Sequence, residues 1–241
     1  IAHEHDIPLL LPNKPIEIID QLTSMQADFA VLSAYGRIIP QRVIDVFSPI
    51  GIINLHPSLL PRHRGPTPIE TTILAGDQVA GVSLMQLTAG MDEGPLYGQV
   101  SLPLRGDETK FDLYASLSAA GAALLFELLP QIISGELSPR PQSGIDVSYT
   151  TLIDKPDGVI DPSTDTASLI ERQVRAHLGY PKSTLRVNDS DVIVTSAKTI
   201  PAPTKDELCI PCKENSTLVV ESLIAPNGKS MTGAAYLRGL R

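Results

Sequence analysis

The sequence predicts an α/β domain followed by a small β-rich domain, and three observations carry that prediction. Short apolar runs alternate with segments of helical periodicity through the first half, and a long Ala- and Leu-rich helical segment closes that half. After Pro181 the pattern changes to short alternating segments separated by turn residues, the signature of strands.

Ile7 to Leu11 reads as a strand. Pro15 sits where a first helical turn tolerates a missing amide and opens a helix from Ile16 to Met25. Ala27 to Ala34 is the next strand, ended by Tyr35-Gly36, and Pro40 to Val46 is a short helix. Ile50 to Leu55 reads as a buried strand, because the prolines that follow cannot continue a central ladder. Three apolar strands separated by helices imply a mostly parallel sheet covered on both faces. Pro66 to Leu74 is helical, and strands at Gly81 to Leu87 and Leu96 to Leu102 flank a loop from Thr88 to Pro95. Asp107 or Thr109 caps a helix reaching Ser134, whose apolar stripe reads as core. Pro, Gly, Asp and Ser residues mark Leu137 to Pro162 as a connection. A helix from Asp165 to His177 follows, then strands at Ser183 to Val187, Asp191 to Thr195, Leu208 to Cys212 and Thr217 to Leu223, a pattern suited to a small barrel. The division is therefore a catalytic domain at 1–142, a linker at 143–164 and a C-terminal domain at 165–241.

No apolar run is long enough to span a bilayer, and the opening residues carry no signal core, so no membrane partner is expected. Cys209 and Cys212 are too few for a disulfide framework and suggest a reducing compartment. Their spacing reads as part of a strand region rather than a redox or zinc motif, and His3, Glu4 and His5 read as a frayed terminus, so no metal is expected. Net charge is −8, with −9 in residues 1–154 and +1 in residues 155–241. That second value is compatible with touching a polyanion but is a faint footprint.

Asn54 and His56 alternate on a strand and so project side by side at its carboxyl end, the rim where open α/β sheets bind ligands. With Asp92 in its glycine-bounded loop they supply an amide donor, a titratable imidazole and a carboxylate. When an amine attacks a carbonyl, oxygen gathers negative charge and nitrogen must lose a proton; such a site needs oxyanion donors and a proton acceptor. Asn54 and protonated His56 would be the donors, and Asp92 would keep His56 charged and accept the proton directly or through water.

The run Asn54-x-His56-x-Ser58-Leu59-Leu60-Pro61-Arg62-x-Arg64-Gly65-x-x-Pro68-Ile69, with Gly81 to Met85 and Met91-Asp92-x-Gly94, resembles the formyltetrahydrofolate-dependent formyltransferases. The resemblance implies a Rossmann-like first domain in which Asn54, His56 and Asp92 move a formyl group from 10-formyltetrahydrofolate, the formyl donor, to an amine. It also implies that Tyr35, Gly36, Arg37, Ile38 and Ile39, the turn Ser58, Leu59, Leu60 and Pro61, and Thr88, Gly90, Met91 and Gly94 border the folate. His63 replaces the aromatic usual in relatives.

The second half, through Glu171 to Ala176, Tyr180-Pro181, Ala197-Lys198, Pro201 to Pro203, Gly228 to Gly233 and Leu237 to Gly239, resembles the C-terminal domain of the methionyl-tRNA formyltransferase family. That implies an OB-like β-barrel and an initiator methionyl-tRNA partner in translation initiation, with Arg62, Arg64, Lys198, Lys205, Lys229 and Arg238 as tRNA-binding candidates. Arg62 and Arg64 are expected on an exposed loop. Pro162 and Gly179-Tyr180 stand where relatives often carry tryptophan. The resemblance further implies a monomer in the bacterial cytoplasm, or in the organelle matrix if eukaryotic. It places a strand-helix-strand unit of about 50 residues before Ile1; without that unit the sheet would expose an unpaired edge and apolar surface. Two other readings fit parts of the chain: a relative formylating a sugar nucleotide or glycinamide ribonucleotide, and an inactive truncated remnant that binds folate or RNA.

Overall fold

The computed structural model describes residues 2–239; Ile1, Leu240 and Arg241, the ends over which the resemblance was drawn, lie outside the described residues. The first half is a four-stranded sheet of β1 (Phe29–Ser33), β2 (Gly51–His56), β3 (Val79–Gln86) and β4 (Leu96–Pro103), in that spatial order. Strands β1 and β2 are parallel, with α2 (Gln41–Ile44) in the crossover, whereas β3 and β4 join antiparallel. The α/β class stands, and within these four strands the pairing is mixed. Loop 87–95 is short enough to return β4 directly beside β3, which only an antiparallel pair allows.

Helix α1 (Ile19–Ser24), reached through a turn opened by Pro15, and α2 pack with Ile52 around Val43, Ile44 and Phe47. The strand expected at Ile7 to Leu11 does not form. Ile7, Leu9, Leu10 and Leu11 are exposed without regular structure, because a strand exists only through a ladder and no neighbour among the described residues supplies one. Strand β1 is the sheet's edge.

Helix α3 (Pro68–Ala75) and α4 (Lys110–Ser134) cover the β3 and β4 side. Thr109 caps α4: its hydroxyl accepts from the Asp112 amide while the Asp112 carboxylate accepts from the Thr109 amide. The expectation that the whole apolar stripe of α4 is core needs correction. Leu113, Leu117, Gly121 and Ile132 are buried, but Phe111, Tyr114, Phe126 and Ile133 face outward, since a helix lying on one sheet can bury one face only. The expectation of no membrane-length apolar run is likewise corrected: α4 meets that length and composition, while packing against the sheet through Leu124, Leu125 and Leu128.

The second half is an antiparallel sheet of β5 (Ser183–Val187), β6 (Ser190–Ile200), β7 (Leu208–Pro211), β8 (Thr217–Ile224) and β9 (Ser230–Thr232), ordered β5-β6-β8-β7 with β9 beside β8. Irregular register in β6 around Ser196 bends the sheet about a core of Leu185, Val192, Val194, Leu218 and Leu223. Helix α5 (Ala167–Ala176), capped by Thr166, contributes Ile170 and Val174 to that core and Ala176 to the first domain's core. It therefore joins the two halves. Strand β9 and the terminal helix α6 (Gly233–Gly239) were not foreseen, being short and polar at their start.

A polar cluster reinforces the junction. Lys110 Nζ lies 3.7 Å from the Glu70 carboxylate and donates to the Tyr180 carbonyl at 2.8 Å, so groups of α3, α4 and the segment beyond α5 meet there. His177, 3% exposed, has an Nδ1 without a partner among the described residues. Burial, and then the Lys110 charge, hold its imidazole below the ordinary histidine range, while Asp157 opposes them. The unfolded chain thus binds this proton more readily than the native one, so stability falls as pH drops below the unfolded histidine value. Urea denaturation at pH 7.5 and 5.5 checks this: His177→Leu should lose less stability across the interval than the unsubstituted chain.

Candidate active site

Strand β2 is central, so its backbone is fixed by β1 on one side and β3 on the other, with Asn54 between Leu32 and Met85 and His56 beside Ser83. Pro57 ends the ladder, and the chain turns sharply through Ser58 to Pro61. That turn is held from within: the Ser58 hydroxyl donates to the Arg62 carbonyl, the Ser83 hydroxyl donates to the Ser58 carbonyl and accepts from the Leu60 amide, and Gln99 donates to both Ser83 and the Leu60 carbonyl. Ser58 and Leu60 are buried. Their polar groups are engaged in supporting the turn.

The turn delivers His63 beneath His56. His63 adopts a left-handed φ of 57°, and its carbonyl accepts from His56 Nε2 at 2.9 Å inside the protein. A carbonyl can only accept, so the proton sits on Nε2 and the other ring nitrogen, Nδ1, is the free one in the neutral form. Nδ1 faces the Asp92 carboxylate at 3.7 Å. His56 is 5% exposed. Burial pushes its imidazole below the ordinary histidine value by more than the facing Asp92 charge and the His63 carbonyl raise it, and a charge on His63 lowers it further. Burial therefore weighs against the resting imidazolium expected from the sequence, and Nδ1 is the ring nitrogen able to take a proton.

Loop 87–95 begins beside Ile52, where the Leu87 amide donates to the Ile52 carbonyl, and doubles back to bring Asp92 to His56. Asp92 has a φ of 49°, and its carboxylate accepts from the Gly65 amide at 2.7 Å. Glycine is needed at 65: φ is 106°, and a Cβ would lie 2.9 Å from the Thr150 carbonyl. Gly94 is needed at the loop's return, where a Cβ would overlap the Gln86 carbonyl. The Asn54 amide, 8% exposed, has no hydrogen-bond partner among the described residues and stands open at the rim.

The segment 34–40 leaves the carboxyl end of β1 at the same rim, because β1 and β2 are parallel. Gly36 turns it with a φ of 65°, Arg37 donates to the Asn13 carbonyl, Tyr35 and Ile38 are exposed, and Ile39 packs in the same cluster as Leu87. The two segments expected around the folate thus converge on one apolar cluster. Thr88 Oγ1 is buried without a partner among the described residues, and Met91 is exposed beside Gly90. An orphaned hydroxyl, open backbone and apolar walls suit a flat heterocycle bearing donors and acceptors.

Of the basic candidates, Arg64 is a correction. It is 7% exposed and engaged by Gln142 and Tyr149, because backbone pairing of Arg64 with Ser148 and Thr150 draws it inward. Arg62 is half exposed and paired with Asp77 at 2.7 Å. Lys198 lies 3.0 Å from Glu207 and 3.5 Å from Glu221, whereas Lys205, Lys229 and Arg238 are on the surface. Cys209 lies in β7 and Cys212 just beyond it. His63, Asp77 and Gln142 were missed as parts of the site; the one signal was His63 standing where an aromatic is usual.

Residues 12–129 match the formyl transferase family, and residues 152–241 match the formyl transferase C-terminal domain. The methionyl-tRNA formyltransferase of Chloroflexus aggregans is 35% identical over 252 residues, covering 99% of this chain and 81% of that protein. That of Halorhodospira halophila is 33% identical, covering 100% of this chain and 80% of that protein. In fold, the chain resembles HypX from Aquifex aeolicus in complex with tetrahydrofolic acid, with a TM-score of 0.69 at 19% identity over 92% of this chain and 40% of that one.

Gly65→Ala should destabilise the chain by about 1–3 kcal/mol through backbone strain and collision with Thr150. Equilibrium urea unfolding measures this, and an unchanged midpoint would contradict the site's packing.

Proposed function

The chain belongs to the methionyl-tRNA formyltransferase family, and from that premise we propose that it moves a formyl group from 10-formyltetrahydrofolate to the amino nitrogen of initiator methionyl-tRNA. The observation that carries the mechanism is the His56 Nε2 bond to the His63 carbonyl, which leaves Nδ1 as the working nitrogen between Asn54 and Asp92. The donor supplies an electrophilic formyl carbon on a nitrogen leaving group. Asn54 donates its amide hydrogen to the formyl oxygen as negative charge gathers there. His56 Nδ1 takes the proton that the attacking amine loses, becoming an imidazolium held by the Asp92 carboxylate and the His63 carbonyl. It then returns that proton to the departing folate nitrogen, so the cycle is proton-neutral. Tyr35 to Ile39 and Thr88 to Met91 wall the folate in this reading, with Thr88 Oγ1 donating or accepting at the heterocycle.

We divide the chain as 1–142 for catalysis, 143–164 as linker and 165–241 for tRNA. Arg62, Lys198, Lys205, Lys229 and Arg238 would meet the tRNA backbone, with phosphate displacing the carboxylates that Arg62 and Lys198 pair with. The protein would act as a monomer in the cytoplasm of a bacterial or organellar translation system.

Incubation with formyltetrahydrofolate and methionine-charged initiator tRNA tests the proposal. Asn54→Ala should lower kcat by roughly 10²–10³-fold, with His56→Ala and Asp92→Ala also impaired; transfer surviving all three would sink the mechanism. Transfer to a sugar amine and never to tRNA would favour the sugar-nucleotide relative, and folate binding without transfer the inactive remnant. Because neutral His56 is the base, kcat/KM should fall on the acid side with a midpoint below 6.5. Asp92→Asn, by removing the charge that raises His56, should move that midpoint lower still.

A further inference from the structure

We propose that Gln142 is a positioning residue of this site: its side-chain amide ties the Asp92 loop to the buried Arg64 and thereby sets the distance from Asp92 to His56. The inference rests on the formyl-transfer reading for its kinetic consequence but not for its geometry. Gln142 Nε2 donates to the Asp92 carbonyl at 2.7 Å and to the Gly94 carbonyl at 2.8 Å, while Oε1 accepts from Arg64 Nη2 at 2.7 Å and Nε at 3.2 Å. Both protons and both lone pairs of one amide are therefore used, and the partners fix which way it faces: carbonyls can only accept and a guanidinium can only donate.

The clip is itself held from both ends. Upstream, Arg140 exchanges backbone hydrogen bonds with Leu96 at the start of β4. Downstream, Arg64 pairs through its backbone with Ser148 and Thr150, and its guanidinium donates to the Tyr149 hydroxyl at 3.1 Å. Asp92 needs such support. A left-handed aspartate costs energy that surrounding contacts must offset; its carboxylate accepts from the Gly65 amide, and its backbone carbonyl is held by Gln142. Shortening residue 142 removes the side-chain donor from two carbonyls and leaves the buried guanidinium with the Tyr149 hydroxyl alone, and the loop relaxes away from His56. Glutamate cannot substitute, because a carboxylate would face both carbonyls with no proton to give.

The charged and titratable groups facing His56 are Asp92 from this loop and His63 from the turn, and Gln142 touches neither ring. Moving Asp92 away therefore has one sign: it removes a charge that favours imidazolium, so the His56 titration shifts to lower pH. The test titrates His56 by NMR in the full chain and measures formyl transfer to methionine-charged initiator tRNA. For Gln142→Ala the expected results are a lower His56 midpoint and a loss of about 10–100-fold in kcat, the scale of a modest misplacement of a reacting group. Arg64→Lys, which keeps the charge but loses the fork, should shift both in the same direction and decides the matter if Gln142→Ala does not fold. A folded variant with an unmoved His56 midpoint overturns the proposal, whether or not kcat falls. The titration needs neither folate nor tRNA, so absence of transfer in the unsubstituted chain would defeat the functional reading while leaving this test intact.

Discussion

The hydrogen bond from His56 Nε2 to the His63 carbonyl is the constraint on which the site depends. It selects the tautomer, and the tautomer decides which nitrogen meets the substrate. For a buried imidazole to find a carbonyl there, the chain must turn back within seven residues, and the supports follow from that need. The Ser58 to Pro61 turn is laced to Ser83 and Gln99, His63 takes a left-handed backbone, and its ring is anchored by Asp77 at 2.7 Å. The same turn sends Arg64 inward and places the Gly65 amide against Asp92, so one reversal of the chain fixes both sides of His56.

The remainder of the fold holds that reversal in place. Strand β2 is rigid because it is paired on both edges, whereas among the described residues β1 is paired on one side and the segment 34–40 at the rim lies outside any ladder and is more exposed. Helix α5 and the Lys110, Glu70 and Tyr180 cluster lock the second half to α3 and α4. Segment 148–150, which precedes that half, pairs with Arg64. The second half is thus connected to the turn beside His56 through both backbone and side-chain bonds.

Much of this was legible in the chain because it rests on local rules. Period-two alternation placed Asn54 and His56 on one face, prolines marked the end of β2, Thr109 capped α4, and alternating segments after Pro181 marked the second sheet. The errors came where a partner decides the outcome. Ile7 to Leu11 has strand composition but no ladder; the α4 stripe is apolar all round but meets one sheet; Arg64 sits in a Pro- and Gly-rich loop yet is drawn inward by residues 84 and more positions away. Composition cannot report a partner that is distant in sequence.

The sequence by itself determined the strand-end placement of the candidate pair Asn54 and His56, because side-chain chemistry and a two-residue period are properties of neighbouring residues. Only the tertiary structure decided that Nδ1 is the free nitrogen of His56 and that burial disfavours its charged form, since burial and the His63 carbonyl act on it from outside its strand. Only the tertiary structure, too, brought Gln142 to Asp92 across 50 residues, because hydrogen bonds of that range exist only once the sheet, the turn and the linker have closed around one another.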